Sequence, residues 1–181
     1  GLMELTGICE QLGSACASTA MVYAMHCIQV LSIADHMGGS EGLAHYLCRL
    51  VDEHRLIASA TSEVGTSGDL RRSICGIEPV ASGDFLLEKA ATTISYVSHA
   101  DDLLLTARRS PDAAAGDQVC ALLINGQYGL EDVGCWDTLG MRGTCSPPAR
   151  INGSGEAWQI LPDPFRDIAS TTMVPVSHIL W

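Results

Sequence analysis

Positive charge is scarce in this sequence. Ten lysines and arginines face 21 aspartates and glutamates, a formal net charge of −11 over 181 residues. The shortage excludes a free-standing nucleic-acid binder, which needs a basic face for the phosphates, and docking on an anionic membrane surface. Only 17% of the residues are charged while 47% are hydrophobic, so the chain can bury a core and is not intrinsically disordered. Paired cysteines are missing as well. Cys9, Cys16, Cys27, Cys48, Cys75, Cys120, Cys135 and Cys145 are scattered, with no C-x-x-C among them, and most sit among apolar neighbours. With no secretory leader pattern at the start, the expectation is reduced thiols in a cytoplasmic core. No long hydrophobic run escapes interruption: the stretch Ala15–Ala34 is broken by His26 and Gln29 and closed by Asp35, too polar for a membrane span.

Common catalytic signatures are also lacking. There is no Gly-Lys-Ser/Thr of a Walker A loop and no G-x-G-x-x-G after a strand. The histidines are dispersed. Asp35-His36 and Glu53-His54 resemble ligand pairs, but each closes a helix, where a histidine is favourable anyway, and no metal site is expected.

Up to residue 57 the patterning is helical. Leu5, Ile8, Cys9 and Leu12 predict a helix over Met3–Leu12, with Gly13 as its stop. Ser14 is placed to cap a second helix running to His36, apolar almost all round and therefore in need of neighbours on every side. After Gly38-Gly39, Ser40 caps a third helix with Leu43, Tyr46, Leu47 and Leu50 inward. Beyond Ile57 the pattern predicts short strands: Ser73–Val80, Asp84–Lys89, Thr92–Val97, Leu103–Ala107, Val119–Ile124, Tyr128–Val133, Ala149–Asn152 and Trp158–Leu161. Their regular spacing suggests a barrel or sandwich. Helical patterning returns after Pro164, with Pro175 expected to restart or kink it. The expected class is therefore α+β: the end of an all-α domain (1–57), an antiparallel β-barrel domain (58–163) and the start of a C-terminal helical bundle (164–181). Both ends of the chain are apolar or helical at once, which suggests an excerpt of a longer polypeptide.

One stretch carries chemistry. Thr61-Ser62-Glu63-Val64-Gly65-Thr66-Ser67-Gly68-Asp69 gathers hydroxyls, glycines and two carboxylates where helices give way to strands. Glycines let a backbone approach a ligand, and hydroxyls and free amides donate to a polar ring edge or a phosphate. A second candidate is Thr92-Thr93-Ile94-Ser95, where strand alternation would put Thr93 and Ser95 on one face. A third, Leu139-Gly140-Met141-Arg142-Gly143-Thr144, reads as a tight turn used for packing.

In this order these segments resemble the acyl-CoA dehydrogenase family of flavoproteins over nearly the whole chain. Ser62-Glu63-Val64-Gly65 through Asp69 is similar to the family's Thr-Glu-Pro-x-x-Gly-Ser-Asp flavin motif, with Ser59 at its aromatic position and Gly68 at its serine. Thr93-Ile94-Ser95 resembles Trp-Ile-Ser/Thr, Asp137 to Thr144 the Leu-Gly-x-Arg-x-Thr/Ser turn, and Cys16 to Met21 a Ser-Thr-Ala helix segment.

The resemblance implies FAD as cofactor and α,β-dehydrogenation of an acyl-CoA. It also implies an electron-transfer flavoprotein as acceptor and a homodimer or homotetramer. Cofactor contacts would come from Ser59, Ala60, Thr61, Ser62, Gly68, Thr93, Ile94 and Ser95. Ser62 would meet the flavin pyrimidine edge and Ser95 its N5. Gly68 would touch the substrate's thioester arm through backbone alone. The catalytic carboxylate of the family lies outside these residues, so no catalytic residue is assigned, Glu63 is expected to anchor its loop, and residues 1–181 alone should show no turnover. Two departures stand out: Thr93 replaces the flavin-stacking Trp, and Val64 replaces a Pro, which should loosen the loop. The alternatives are a flavin-dependent monooxygenase on the same fold and a non-catalytic member.

Overall fold

The computed structural model describes residues 1–181. Helices α1 (Leu2–Ala15), α2 (Ala17–His36) and α3 (Glu41–Asp52) come first. The break between α1 and α2 falls at Cys16, not at Gly13-Ser14. Cys16 is extended (φ −156°, ψ 106°) and its N–H closes α1 on Leu12 O at 2.7 Å. A glycine inside a helix costs only about 1 kcal/mol relative to alanine. Gly13 also faces Ala20 of α2 closely, a built Cβ lying 3.7 Å from the Ala20 Cβ. The packed hairpin therefore overrides the local stop signal. The cap on α3 is the expected one, with Ser40 Oγ accepting from Leu43 N at 3.4 Å and Leu43, Tyr46 and Leu50 buried.

Helix α2 is long and apolar enough to cross a bilayer. In this fold Ala24, Cys27, Ile28, Gln29, Ser32, Ile33 and His36 form its buried face. Its first half, about Met21 and Tyr23, is only half-covered, so the neighbours its composition calls for are supplied in part.

The strands are β1 (Ile57–Ala60), β2 (Glu78–Pro79), β3 (Asp84–Ala91), β4 (Asp102–Arg108), β5 (Gln118–Leu123), β6 (Tyr128–Glu131) and β7 (Ala149–Glu156). They do not close into the expected barrel. Two separate sheets form, one of order β1-β4-β5 and one of order β2-β3-β7-β6. The first is not purely antiparallel, because β1 runs parallel to β4 with Ile57 opposite Asp102. Parallel neighbours require a long crossover, and the chain between β1 and β4 spends it building β2 and β3 of the other sheet.

The result is three layers. Phe85, Leu87 and Ile151 of the four-stranded sheet pack on Leu103, Leu105, Ala121 and Leu123 of the three-stranded sheet. The other face of the latter, with Leu104, Cys120 and Leu122, joins Ile28, Ile33 and Tyr46 of the helices. A middle sheet covered on both sides needs no polar face, and Leu103–Ala107 and Val119–Leu123 are buried throughout. Strand β3 alternates because its outer face meets solvent.

Three expected strands are not built as read. Ser73–Val80 contributes only the two residues of β2 and a single bridge, Gly76 to Arg108. Trp158–Leu161 is a 3-10 turn over Ala157–Gln159 followed by a single bridge from Ile160 to Ala121. Thr92–Val97 is a turn, described with the site below. Gly76 shows what holds the first of these in place. A Cβ there would stand 2.8 Å from Pro111 Cα and 2.9 Å from Pro111 N, against backbone that cannot swing aside. Gly76→Ala is expected to cost about 1–3 kcal/mol, read as a lowered urea midpoint.

The C-terminal segment is α4 (Phe165–Ile168), a π-helical turn over Ala169–Met173 and α5 (Val174–Leu180). Pro175 neither breaks nor simply restarts the helix. Its ring would clash with the carbonyl four residues back and its nitrogen cannot donate, so the wider turn just before it absorbs the misfit. His36 fixes this segment to α2. Its Nδ1 bonds Asp163 Oδ2 at 2.7 Å and its Nε2 bonds Thr172 Oγ1 at 2.9 Å, while Thr172 Oγ1 donates to Asp35 Oδ2 at 3.2 Å. The Asp35-His36 pair thus serves as a clamp. All eight cysteines are free thiols.

Candidate functional site

Strand β1 delivers the hydroxyl- and glycine-rich loop at its C-terminal end. Glu63 anchors that loop. Its Oε2 accepts from Ser73 Oγ (2.7 Å), Ile74 N (3.0 Å) and Lys89 Nζ (3.1 Å), and its Oε1 from Cys75 N (2.6 Å). Burial pushes the carboxyl up, but the Lys89 ammonium, the Ser73 hydroxyl and the two amides outweigh it and hold Glu63 below its ordinary value of 4.5. A carboxylate so occupied is not available as a base.

Val64 does not loosen the loop. Its N–H donates to Ala90 O at 2.8 Å, a bond that proline could not make. Val64→Pro is therefore expected to lower the melting temperature, whereas a gain would show that rigidity at this position outweighs the bond. Further along, Gly65 (φ +89°), Ser67 (φ 54°) and Gly68 (φ +79°) carry the chain through a left-handed turn. Nothing lies within 4 Å of a Cβ built on Gly68, so conformation rather than crowding calls for glycine there.

Thr92–Val97 is not a strand because β3 ends at Ala91 and the chain then turns across to the other sheet. Its backbone pairs with the loop before β7: Ile94 N donates to Pro147 O at 3.1 Å and Tyr96 N to Thr144 O at 2.7 Å. Tyr96 sits at φ 48°, and its hydroxyl donates to Ile57 O at 3.0 Å. Strand alternation therefore does not apply. Thr93 is exposed and Ser95 half-buried.

This turn brings the two main sequence candidates together. Ser62 Oγ donates to Thr93 O at 2.8 Å and accepts from Thr93 N at 3.1 Å, a closed clasp between the loop and the turn. Behind it, Ser146 Oγ donates to Ser95 Oγ at 2.9 Å and lies 2.8 Å from Thr144 Oγ1, which donates to Met141 O at 2.8 Å. The turn Leu139–Thr144 thus reaches Ser95 through two hydroxyls. Ser146 was not legible from sequence, since it falls outside every motif.

The remaining candidates are placed differently. Ala60 and Ile94 are wholly sealed and Ser59 is buried in β1, so these three shape the site from behind. Thr61 and Ser62 are half-buried and Gly68 is exposed. No hydrogen bond ties Gly68 to Ser62, Thr93 or Ser95. The accessible polar surface is therefore made by Thr61, Ser62, Thr93 and Ser95.

No family model and no curated protein matches this chain. Solved structures do. FMN-bound TdsC from Paenibacillus sp. A11-2 superposes with a TM-score of 0.74 at 23% identity, over 90% of this chain and 40% of that one. Butyryl-CoA dehydrogenase from Megasphaera elsdenii gives a TM-score of 0.74 at 16% identity, over 89% of this chain and 43% of that one. The fold is acyl-CoA dehydrogenase-like. A further FAD-dependent dehydrogenase gives a TM-score of 0.72 at 18% identity, over 98% of this chain and 47% of that one. The chain thus spans less than half the length of each of these structures.

Proposed function

We propose that the Ser62–Thr93 clasp and Ser95 form part of a flavin site, and that the chain belongs to an oxidoreductase. The observation that carries this reading is the state of Ser95. Its oxygen accepts from Ser146, and no acceptor within the chain takes its own hydrogen. A half-exposed hydroxyl polarised in this way is an oriented donor for a ring nitrogen that gains electron density on reduction. The residues present fit the edge of a flavin, with no aromatic at position 93 to cover its face. When bound, the flavin would take up a hydride and pass the electrons on. This chain's own part is to present donors, hold the loop through Glu63 and bring Ser95 up to the ring. The cofactor we propose is FAD.

The first finer reading is α,β-dehydrogenation of an acyl-CoA, with an electron-transfer flavoprotein as acceptor, in a cytoplasmic homodimer or homotetramer. Butyryl-CoA dehydrogenase among the similar structures supports the acyl-CoA part of this reading. The second is oxygenation of a small molecule. Thr93 at the stacking position favours it, as does the likeness to TdsC, described as a dibenzothiophene monooxygenase.

Titration of the chain with FAD and with FMN, followed by flavin absorbance, tests the site. Saturable binding is expected, weakened about ten-fold by Ser95→Ala; the absence of any saturable change with either flavin would sink the reading. Anaerobic bleaching of bound flavin by butyryl-CoA would favour dehydrogenation. Label from ¹⁸O₂ in a product would favour oxygenation.

A further inference from the structure

His36 closes α2 with both ring nitrogens engaged and only 7% of the residue exposed. Nδ1 lies 2.7 Å from Asp163 Oδ2, and Nε2 lies 2.9 Å from Thr172 Oγ1 and 3.3 Å from Thr171 Oγ1. The partners fix where the hydrogens are. A carboxylate only accepts, so the hydrogen on the Asp163 bond belongs to Nδ1. Thr172 gives its own hydrogen to Asp35 Oδ2 at 3.2 Å, and Thr171 gives its own to Asp167 O at 2.7 Å. A hydroxyl has a single hydrogen and both are spent, so Nε2 must donate as well. An imidazole that donates from both nitrogens is an imidazolium. The full set of bonds therefore exists only while His36 carries a proton. The charged groups that face it are Asp163 before α4, Asp35 on α2 through the Thr172 hydroxyl, and Asp167 of α4 through its main-chain carbonyl on Thr171. Helices α1, α3 and α5 and strand β1 bring no ionised side chain into ion-pair distance of it.

We propose that His36 is a proton-dependent latch: as the imidazolium it holds residues 165–180 on α2, and loss of its proton loosens that segment. Deprotonation forces a choice. If Nδ1 keeps its hydrogen, the Thr172 hydroxyl must leave Asp35 to meet the bare Nε2. If Nε2 keeps it, Nδ1 and Asp163 Oδ2 face each other as two acceptors at 2.7 Å. Either way a bond of the clamp is lost, and histidine is the side chain whose charge changes between about pH 5 and 8. The bonds are thus complete on the acid side and fail as the pH rises. The segment they hold supplies Phe165, Ile168, Met173 and Val176 to the helical core. Phe165 and Ala169 also share a cavity with Leu70, two residues beyond Gly68, so the firmness of the segment bears on that loop. The latch works with or without a flavin.

Amide hydrogen exchange on the 181-residue chain tests this, with rates corrected for intrinsic exchange and β4 as the internal reference. Protection of residues 165–180 relative to β4 is expected to fall about ten-fold between about pH 6 and about pH 8 in the wild type. His36→Gln cannot take up a proton and should show the same relative protection at both. Asp163→Asn, at a half-exposed position, offers an amide hydrogen that a neutral His36 can accept, so it should flatten the dependence while leaving the chain folded. The other histidines titrate in the same window, so the reading is the difference between wild type and variants. Relative protection that does not fall in the wild type, or a fall that survives in either variant, overturns the proposal. Nitrogen-15 spectra of the histidine-labelled chain read the proton directly, even where His36→Gln fails to fold. Both His36 nitrogens are expected to carry hydrogen at about pH 6; one bare ring nitrogen under those conditions overturns the latch as well.

Discussion

Replacing Lys89 by methionine is expected to destabilise the chain by about 3–5 kcal/mol, because it strands a buried carboxylate. Lys89 is the chain's single lysine and only 1% exposed. It lies on the inner face of β3 with Phe85 and Leu87, a position where alternation calls for an apolar side chain. Its Nζ donates to Glu63 Oε2 at 3.1 Å and to Thr106 O at 2.8 Å, and this pairing is what makes a charge tolerable there. The double variant Lys89→Met with Glu63→Gln should recover much of the loss, since the uncompensated charge goes with its partner. Urea unfolding of the wild type, both single variants and the double variant measures the coupling; a loss below about 1 kcal/mol in Lys89→Met would show that the pair is not buried in solution.

The same pair predicts the acid response. Glu63 is held below its ordinary value of 4.5 in the folded chain, so its contribution is complete above that value and is lost as the pH falls through the lower folded one. A Glu63→Gln variant should therefore lose less stability than the wild type between pH 5 and acid unfolding. Because Glu63 anchors the loop carrying Ser62, flavin affinity in Lys89→Met should fall with stability.

The second large effect is expected at Asp102, which is fully buried at the start of β4. It accepts from Arg55 Nε (2.7 Å) and Nη2 (2.6 Å), from the Tyr46 hydroxyl (2.9 Å) and from Asn125 N (2.9 Å). One side chain thereby ties α3, the segment leading into β1 and the turn after β5 to the middle sheet. Burial and the Asp102 carboxylate push the Tyr46 phenol well above its ordinary value of 10.0, so it stays a donor. Asp102→Ala leaves the Arg55 guanidinium and the Tyr46 hydroxyl without a common acceptor. About 3–5 kcal/mol of destabilisation is expected, the scale of breaking a buried ion pair. Thermal unfolding followed at once by far-ultraviolet dichroism and tyrosine fluorescence checks it. The two curves should separate in Asp102→Ala as the helices loosen from the sheets; coincident curves with an unchanged midpoint would refute the linking role.

Much of the local structure was legible in the sequence because its causes are local. Ser40 caps α3 from three residues away, and the apolar runs at Leu103–Ala107 and Val119–Leu123 announce strands. Turn residues mark Ala81–Gly83, Asn125-Gly126 and the loop from Ser110 to Asp117. The hydroxyl and glycine content of Thr61–Asp69 also marked out a candidate loop without any knowledge of its surroundings. Thr92–Val97 misled for the same reason. Its β-branched residues favour a strand, but its backbone partners are Thr144 and Pro147, about fifty positions away, and they bend it into a turn.

By itself, then, the sequence determined the three N-terminal helices and the strands β3, β4 and β5, where the chain changes character, and which loop has the chemistry for a ligand. The tertiary structure decided how those pieces meet: β1 parallel to β4, two sheets in place of a barrel, Lys89 turned inward onto Glu63, and Ser62 clasped to Thr93. These outcomes depend on partners distant in the chain. Backbone and polar groups buried among them must find bonds wherever the packing leaves a partner, and no pattern of neighbouring residues encodes which one that is.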